Sequence, residues 1–335
     1  MPSLAKFGND LYTGKRSYPF VQKYKLWFLI AAVAILISII VPVVKGGFNL
    51  GIDFRGGSEF TVSQTENTDI SRGEEAVTSV EPGLVPQVTN IAANTMRIQT
   101  EQLSDDQTLA VRDALIDAYE VEPDQVTSTF VVPTWGQDVT RQAIWGLVVF
   151  VALAAVMMAI YFRTWKMSVA ALSGMTVVLI VTAGLYSLSD FEVTPSAIFG
   201  FLTVLSYSLY DTVVVFDKVR ENTENIDNST KRTFSEEVNL AVNQTLVRSI
   251  NTSVVGVLPV ASILFIGAML LGAGTLRDLS LSLFIGIIIG TVTTVFIAAP
   301  MYAWLRAKEP ALVRQAKRVE ARRRHESSES DEVTV

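Results

Sequence analysis

A single carboxylate stands inside a long apolar stretch of this chain. Asp211 lies in SYSLYDTVVVFDKVREN, six residues before Asp217, where the charged run DKVREN begins. At 1.5 Å of rise per residue it is about 9 Å deeper along a helix than Asp217, too far for a short side chain to reach water. A charge at this depth in a membrane costs at least ~2.5 to 3.5 kcal/mol, and such residues commonly bind protons on transport pathways. The alternative is that Asp211 caps a helix that ends early.

Polar residues recur at helical spacing before Asp211. Thr203, Tyr207 and Asp211 follow Gly200 at i+3, i+7 and i+11, and Tyr210 precedes the carboxylate directly. Residues at this spacing share one face of a helix. We therefore expect a polar face that is turned toward other helices rather than toward lipid.

An arginine in a second apolar stretch is a candidate partner for this carboxylate. Arg248 lies in NQTLVRSINTSVVG, four residues after Gln244 and four before Thr252. A guanidinium close to a buried carboxylate favours its ionised form, so a helix movement that separates them would change proton binding. An arginine near a helix end can instead extend to the membrane surface. We interpret Asp211 and Arg248 as parts of a proton pathway.

Six apolar runs are long enough to position these residues in a membrane. A helix needs about 20 residues to cross ~30 Å of hydrocarbon, and half of the chain is hydrophobic. The first run is too long for a signal peptide, so we interpret it as an uncleaved span. The six runs cover residues 26–45, 143–162, 167–188, 195–216, 244–267 and 279–305. We predict that the last five form a bundle of helices over residues 141–305.

The last run carries two further patterns. Small residues recur every four positions at Gly286, Gly290, Thr294 and Ala298. Small residues at this spacing let membrane helices approach closely, so we expect a packing face. We interpret Arg277 and Asp278, at the outer end of the run, as an anchor at the membrane interface.

Basic residues predict the orientation. Residues 1–25 hold five Lys and Arg against one Asp, Arg163 and Lys166 lie in the turn after the second run, and residues 306–335 are rich in arginine. By the positive-inside rule these three regions are cytoplasmic, which puts both termini inside. We expect residues 306–335 to be a disordered tail.

One soluble segment, residues 46–140, separates the first two runs. Between 46 and 138 it has 16 acidic residues against four arginines, which argues against nucleic acid as a partner. Its pattern predicts strand, helix, strand, strand, helix, strand, with capping boxes at Ser71–Glu74 and Ser104–Gln107. That order is the ferredoxin-like one, an α+β fold. A compact spacer without a specific role is the alternative.

Motifs for ATP and metal chemistry are missing from the sequence. FGNDLYTGKRS has five residues between its glycines where a phosphate loop has four. The one histidine, His325, belongs to no HExxH motif, and there is no cysteine to form a disulfide or to bind a metal. We expect no cofactor, and protons as the coupling ion.

Four motifs together resemble the SecF family, the smaller half of the SecDF pair of the bacterial Sec translocase. They are GIDFRGG (51–57), SYSLYDTVVVFDKVREN (206–222), NQTLVRSINTS (243–253) and TLRDLSLSLFIGIIIGT (275–291). The resemblance covers nearly the whole chain and implies an α-helical multi-pass protein that is half of an RND-type bundle. It implies Asp211 and Arg248 as essential residues. The motif after the first span supplies Gly51, Asp53, Gly56 and Gly57.

The chain departs from this family beside the carboxylate. The family usually has a glycine and an asparagine where this sequence has Ser206 and Tyr210. The asparagine is therefore missing as a hydrogen-bonding neighbour of Asp211.

The resemblance also implies a function, that of a protein-transport subunit without enzymatic activity in the bacterial plasma membrane. Together with SecD it would use the proton gradient to draw preproteins through SecYEG after the ATP-driven step of SecA. Further implied partners are YajC, YidC, the preprotein and membrane lipids. The residues alone leave two alternatives, a proton-coupled exporter of small molecules and a passive scaffold of the translocon.

Overall fold

The computed structural model describes residues 4–189, 191–270 and 274–333. Its α-helices within these ranges are α1 (Leu4–Tyr12), α2 (Tyr24–Val44), α3 (Ile52–Arg55), α4 (Ile70–Val80), α5 (Asp105–Tyr119), α6 (Pro133–Phe162), α7 (Trp165–Leu188), α8 (Pro195–Thr223), α9 (Phe234–Ser262), α10 (Gly274–Thr293), α11 (Ala299–Arg306) and α12 (Pro310–Val333). Its strands are β1 (Gly57–Ser63), β2 (Gln87–Ala92), β3 (Thr95–Thr100) and β4 (Val126–Val131).

Six helical segments of the described residues are long and apolar enough to cross a membrane, as predicted. The fifth segment continues beyond α9 as a π-helix, Ile263–Leu270, and the sixth joins α10 to α11 through a second π-helix, Thr294–Ala298. Several helices extend beyond the predicted apolar runs. α9, for example, begins at Phe234 rather than at 244, because Thr233 and Glu236 form a capping box there.

The soluble segment folds as one antiparallel sheet in the order β2-β3-β1-β4, with α4 and α5 packed against it. The predicted order of strands and helices is confirmed. Alternate residues of β1 and β3, such as Phe60 and Ile98, are fully buried and face Val77 and Leu115 of the two helices. Ser104 caps α5 as predicted.

The first predicted capping box is wrong. Asp69 rather than Ser71 caps α4, and its side chain accepts a hydrogen bond from the Ser71 N–H at 3.0 Å. The helix therefore begins at Ile70, and Ser71 is already inside it. Aspartate is as good a cap as serine, and the sequence offers both within three positions.

α8 and α10 pack closely along the row of small residues. Ser208 lies beside Gly290, Val204 beside Gly286 and Ser282 beside Gly200. The last two contacts leave no room for a Cβ on the glycine. The predicted packing face is therefore confirmed, and it is α8 that the last span approaches.

The prediction of a disordered tail is wrong, because residues 310–333 form helix α12. Leu312, Gln315 and Val319 are buried at helical spacing, and the Gln315 side chain donates to the carbonyls of Ser229 and Arg232. These bonds tie α12 to the loop between α8 and α9. The strongly charged composition concealed this narrow buried stripe.

Candidate functional site

Asp211 is buried near the middle of α8, with 4% of its surface exposed. Its Oδ1 accepts a hydrogen bond from the Ser249 hydroxyl of α9 at 2.7 Å, while Oδ2 has no hydrogen-bond partner. The alternative that Asp211 caps the end of a helix is wrong, since α8 continues to Thr223. The carboxylate is thus held at one oxygen and leaves the other available.

Hydroxyl groups of three helical segments surround this position. Thr212 of α8 shares a hydrogen bond of 3.0 Å with Thr294, the first residue of the π-helix after α10. One turn along α9 from Ser249, Ser253 bonds to the hydroxyl of Thr291 on α10. The site therefore lies where α8, α9 and the last span meet.

Sequence reasoning missed Ser249 as a neighbour of Asp211, and it took Thr294 only for a packing residue. Ser249 stands four residues from both Thr245 and Ser253, a row of hydroxyls that could have been noticed. Hydroxyls inside helices usually bond to the carbonyl four residues back, as Ser253 and Thr294 do here. The presence of serine and threonine in a predicted helix therefore does not by itself indicate a functional site.

Arg248 lies at the depth of Asp211 but faces away from it. Its side chain is exposed, and Nη2 donates to the Tyr210 hydroxyl at 3.5 Å. The two residues form no ion pair, so the expected direct pairing is wrong in this conformation. The reason is rotational, because Arg248 and Ser249 are consecutive on α9 and so point about 100° apart; it is Ser249 that faces the carboxylate.

The other predicted polar residues make three different kinds of contact. Tyr207 donates to the Thr252 carbonyl at 2.6 Å and ties α8 to α9 one turn from the carboxylate. Thr203 bonds only within its own helix, to the Phe199 carbonyl. Gln244 bonds to Asn222 and to the Tyr12 carbonyl, so it holds the N-terminal segment rather than the site.

One face of α8 and α9 is exposed and mixes polar with apolar side chains. Tyr210 is 55% exposed beside Arg248, and Val255 and Phe199 are similarly open. A guanidinium inside a membrane normally faces the interior of a bundle or a polar partner, not lipid. This α8–α9 face is therefore suited to contact with another membrane protein.

The GIDFRGG motif seats the soluble domain on the membrane helices. Gly51 donates to the Val193 carbonyl at 2.9 Å, in the loop between α7 and α8, and a Cβ on Gly51 would lie 3.1 Å from Thr194 Cγ2. Gly56 and Gly57 both have positive φ, and a Cβ on Gly57 would collide with the Thr100 carbonyl. The glycines are needed for these close approaches. Asp53, between them, lines a cavity at the same junction.

Comparison with known proteins identifies the chain. The family model of the protein export membrane protein SecD/SecF, C-terminal, matches residues 111–308, and that of the SecD/SecF GG motif matches residues 43–63. This chain belongs to the SecD/SecF family. It is a multi-pass membrane protein by this relationship and by its six apolar helices.

Several relatives are similar over most of the chain. The protein translocase subunit SecF of Mycobacterium tuberculosis strain H37Rv is 40% identical, and the match covers 95% of this chain and 73% of the relative. SecF of Streptomyces coelicolor is 38% identical over 96% and 86%. The fused SecDF of Thermus thermophilus is 30% identical over 83% of this chain and 37% of the relative.

Two solved SecDF structures share the fold. A crystal structure of the Thermus thermophilus SecDF, described as a translocon-associated membrane protein, matches 88% of this chain with a TM-score of 0.76 at 25% identity. A SecDF crystal structure in a super-membrane-facing form matches the same share with a TM-score of 0.60 at 26% identity. The chain spans 39% of each SecDF chain. The fused relatives indicate association with a SecD-type half.

Proposed function

We propose that this chain is a SecF subunit of the Sec protein translocase. With SecD it uses the proton motive force to promote movement of preproteins through SecYEG after the ATP-driven step of SecA. The observation that carries the proposal is the buried Asp211 carboxylate, which has a hydrogen bond at one oxygen and none at the other.

The surroundings of Asp211 suit reversible proton binding. Ser249 can donate to the ionised carboxylate, and the unpaired oxygen can take a proton without breaking that bond. The helices that meet here are joined by hydrogen bonds between hydroxyl groups. Breaking such a bond costs less free energy than breaking an ion pair. A proton that moves down a potential of 100 mV releases ~2.3 kcal/mol, enough to bias the position of one helix against another.

A SecD partner completes the pathway in this proposal. RND-type transporters place their coupling residues between two similar halves, and this chain has one such half. The exposed α8–α9 face brings Arg248 and Tyr210 to the surface that the second bundle would cover. Arg248 then acts between the two halves rather than within this one.

The orientation in the membrane, the class of the soluble domain and the further partners are also proposals. Both termini lie in the cytoplasm of a bacterium, on the positive-inside rule, and the soluble domain outside is of the ferredoxin-like class, which its antiparallel order β2-β3-β1-β4 supports. SecYEG, YajC, YidC, the preprotein and membrane lipids are the further partners, and no cofactor besides the proton is needed.

The test compares Asp211→Asn with Asp217→Asn, a matched change on the same helix at a half-buried position, where the side chain accepts a hydrogen bond from the Tyr161 hydroxyl that an Asn oxygen can also accept. Membrane vesicles that hold this chain, SecD and SecYEG are assayed for preprotein translocation with and without a proton gradient. We expect Asp211→Asn to reduce the gradient-dependent part by roughly tenfold or more, because the ionisable group is gone. Asp217→Asn should behave as the wild type.

Measuring whether the Asp211→Asn variant still assembles with SecD distinguishes a proton-coupling role from that of a passive scaffold. If Asp211→Asn still co-purifies with SecD but has lost gradient-dependent translocation, the proposal holds. Normal translocation in this variant would leave only the scaffold, and gradient-dependent export of small molecules without SecD would favour the exporter.

A further inference from the structure

A second group of charges is enclosed between the soluble domain and the membrane helices. Asp53 of α3, Glu59 of β1 and Arg97 of β3 come from the soluble side. Glu192, in the loop between α7 and α8, and Asp278 of α10 come from the membrane side. Together they line a cavity of about 140 Å³. Asp278 is therefore buried in a junction, and its interpretation as an interfacial anchor is wrong.

Arg97 and Gln99 hold the two sides of this junction together. Arg97 Nη1 lies 3.3 Å from Glu192 Oε2, and its Nε lies 3.7 Å from Glu59 Oε2. The Gln99 amide donates to both of these carboxylates, at 2.9 Å to Glu59 and 3.3 Å to Glu192. Two carboxylates from opposite sides thus share one guanidinium and one amide.

The charges around the cavity do not balance. Four carboxylates line it and Arg97 is the one cation among its lining residues. Arg277, the next cation on α10, instead lies over the Phe191 ring and donates to the Asn90 carbonyl. If all four carboxylates were ionised, the junction would hold an excess of three negative charges in a largely buried space, which is unfavourable.

Polar atoms in the junction also remain without a hydrogen-bond partner, one of them a donor, Arg97 Nε, and two of them acceptors. Glu192 Oε1 and Gln99 Oε1 are buried without a hydrogen-bond partner, in side chains that are 8% and 5% exposed. Burial raises the pKa of Asp53, and the neighbouring Glu59 carboxylate raises it further. Unpaired acceptors beside excess negative charge favour the uptake of a positive ligand.

We propose that this junction is a second proton-binding site, in which the four carboxylates hold at least one exchangeable proton when the soluble domain is seated on the membrane helices. Proton uptake from the side of the soluble domain then stabilises the seated position. The inference goes beyond the proposed function, because it involves neither Asp211 nor Arg248.

Electrostatics can affect this seating because several contacts across the junction are between charged or polar side chains. The hydrophobic core of the soluble domain shares no described residue with the cores of the membrane bundle. The polar contacts across the junction include the Arg97 and Gln99 bonds, the bond from Arg277 to the Asn90 carbonyl, and backbone bonds such as Gly51 to Val193. The seated state binds more protons than the released one, so seating weakens as the pH rises.

The sequence contains no cysteine, so spin labels can be attached selectively at introduced cysteines and the distance between the soluble domain and the membrane helices can be measured. The full chain carrying V85C on the soluble domain and L188C at the end of α7, both exposed positions, is spin-labelled in lipid nanodiscs. Distances are measured by pulsed electron paramagnetic resonance from pH 5 to pH 8. We expect the ratio of seated to released populations to fall by up to about tenfold per pH unit for each linked proton.

Asp53→Asn is the deciding variant, because it removes a charge while the hydrogen bonds described above stay intact. We expect more seated protein at pH 8 and a shallower pH dependence. The matched control, Asp106→Asn in the exposed first turn of α5, should keep the wild-type profile. A wild-type ratio that does not change with pH, or an Asp53→Asn profile like that of the wild type, overturns the proposal.

Two further arms test the identity of the ligand and its independence. Restoration of seating at pH 8 by sodium but not by choline would replace the proton with a metal cation and overturn the proposal. Asp211→Asn should keep the full pH dependence of seating. If it does, the junction is independent of the membrane carboxylate; if the dependence vanishes, the proposal of a separate site fails.

Discussion

Arg248 and Asp211 lie on neighbouring helices at similar depth, yet they face different surroundings. The carboxylate is enclosed by hydroxyl groups, whereas the guanidinium is exposed and contacts Tyr210. Tyr210 occupies the place where an asparagine was expected from the family resemblance. The bond that Arg248 donates to the Tyr210 hydroxyl shows that the residue next to the carboxylate belongs to the outward face of α8, not to the Asp211 site.

At this scale we predict that Arg248→Gln impairs assembly rather than folding. The side chain is exposed and its described bond is a long one, so the free energy of unfolding should change by no more than about 0.5 kcal/mol. Co-purification with SecD and gradient-dependent translocation should both fall by roughly fivefold or more, because the change removes a charge from the surface that SecD is proposed to cover.

Thermal unfolding in detergent and pull-down with tagged SecD measure the two effects of Arg248→Gln separately. Arg141→Gln, at an exposed arginine near the start of the second span, is the control and should alter neither. Full assembly and translocation in Arg248→Gln would contradict the role given to the exposed α8–α9 face.

Asp211 could be found from the sequence, because the cost of a carboxylate in an apolar run does not depend on the fold. The direction in which the Arg248 side chain points could not be predicted from the sequence. Polar residues surround much of α9, including Gln244, Ser249 and Thr252, so periodicity does not define one face. The rotation of α9 is fixed by contacts between distant residues, such as Ser249 to Asp211 and Tyr207 to Thr252.

At the scale of elements, the contact of α8 with α10 sets the geometry of the membrane site. Gly286 faces Val204, and the same row continues through Gly290 to Thr294, which bonds to Thr212 next to Asp211. The small residues were visible in the sequence at steps of four. Which helix they pack against was not, since any neighbouring span could use such a surface.

We predict that Gly286→Val destabilises the bundle. The added side chain has no room beside Val204, and overpacking of this kind typically costs about 1 to 3 kcal/mol. Thermal unfolding in detergent should show a lower midpoint, and Val204→Ala in the same chain should restore part of the loss.

Gly267→Ala is the control for Gly286→Val. A Cβ at Gly267 meets its nearest neighbour, Ile263, only at 3.9 Å. This variant should unfold at the wild-type temperature. Equal stability of Gly286→Val and the wild type would show that α8 and α10 can separate freely.

At the scale of the whole molecule, helix α12 packs against α9 and the loop between α8 and α9. Arg323 pairs with Glu236 at 2.8 Å, and Gln315 bonds to the loop before α9. The sequence predicted the six spans and the element order of the soluble domain, which depend on long regular patterns. It did not predict α12, because three buried residues among many charges fix its position.

We predict that a chain ending at Lys308 loosens residues 226–233. The loss of the Gln315 bonds removes partners of the Ser229 and Arg232 carbonyls, so amide exchange there should accelerate by roughly tenfold or more. Hydrogen–deuterium exchange measures this directly. A chain ending at Arg324 retains these contacts and should exchange as the wild type, and equal exchange in both truncations would contradict the role of α12.

The exposed α8–α9 face also has a consequence for the relative amounts in which this chain and SecD are synthesised. Lipid solvates a guanidinium poorly, so if a SecD-type half covers this face, as proposed above, a copy of this chain without that partner carries an energetic penalty that a paired copy does not. Balanced synthesis of both halves avoids the penalty. A single fused chain, as in the SecDF of Thermus thermophilus and Bacillus subtilis, makes that balance automatic, whereas separate chains depend on matched gene dosage.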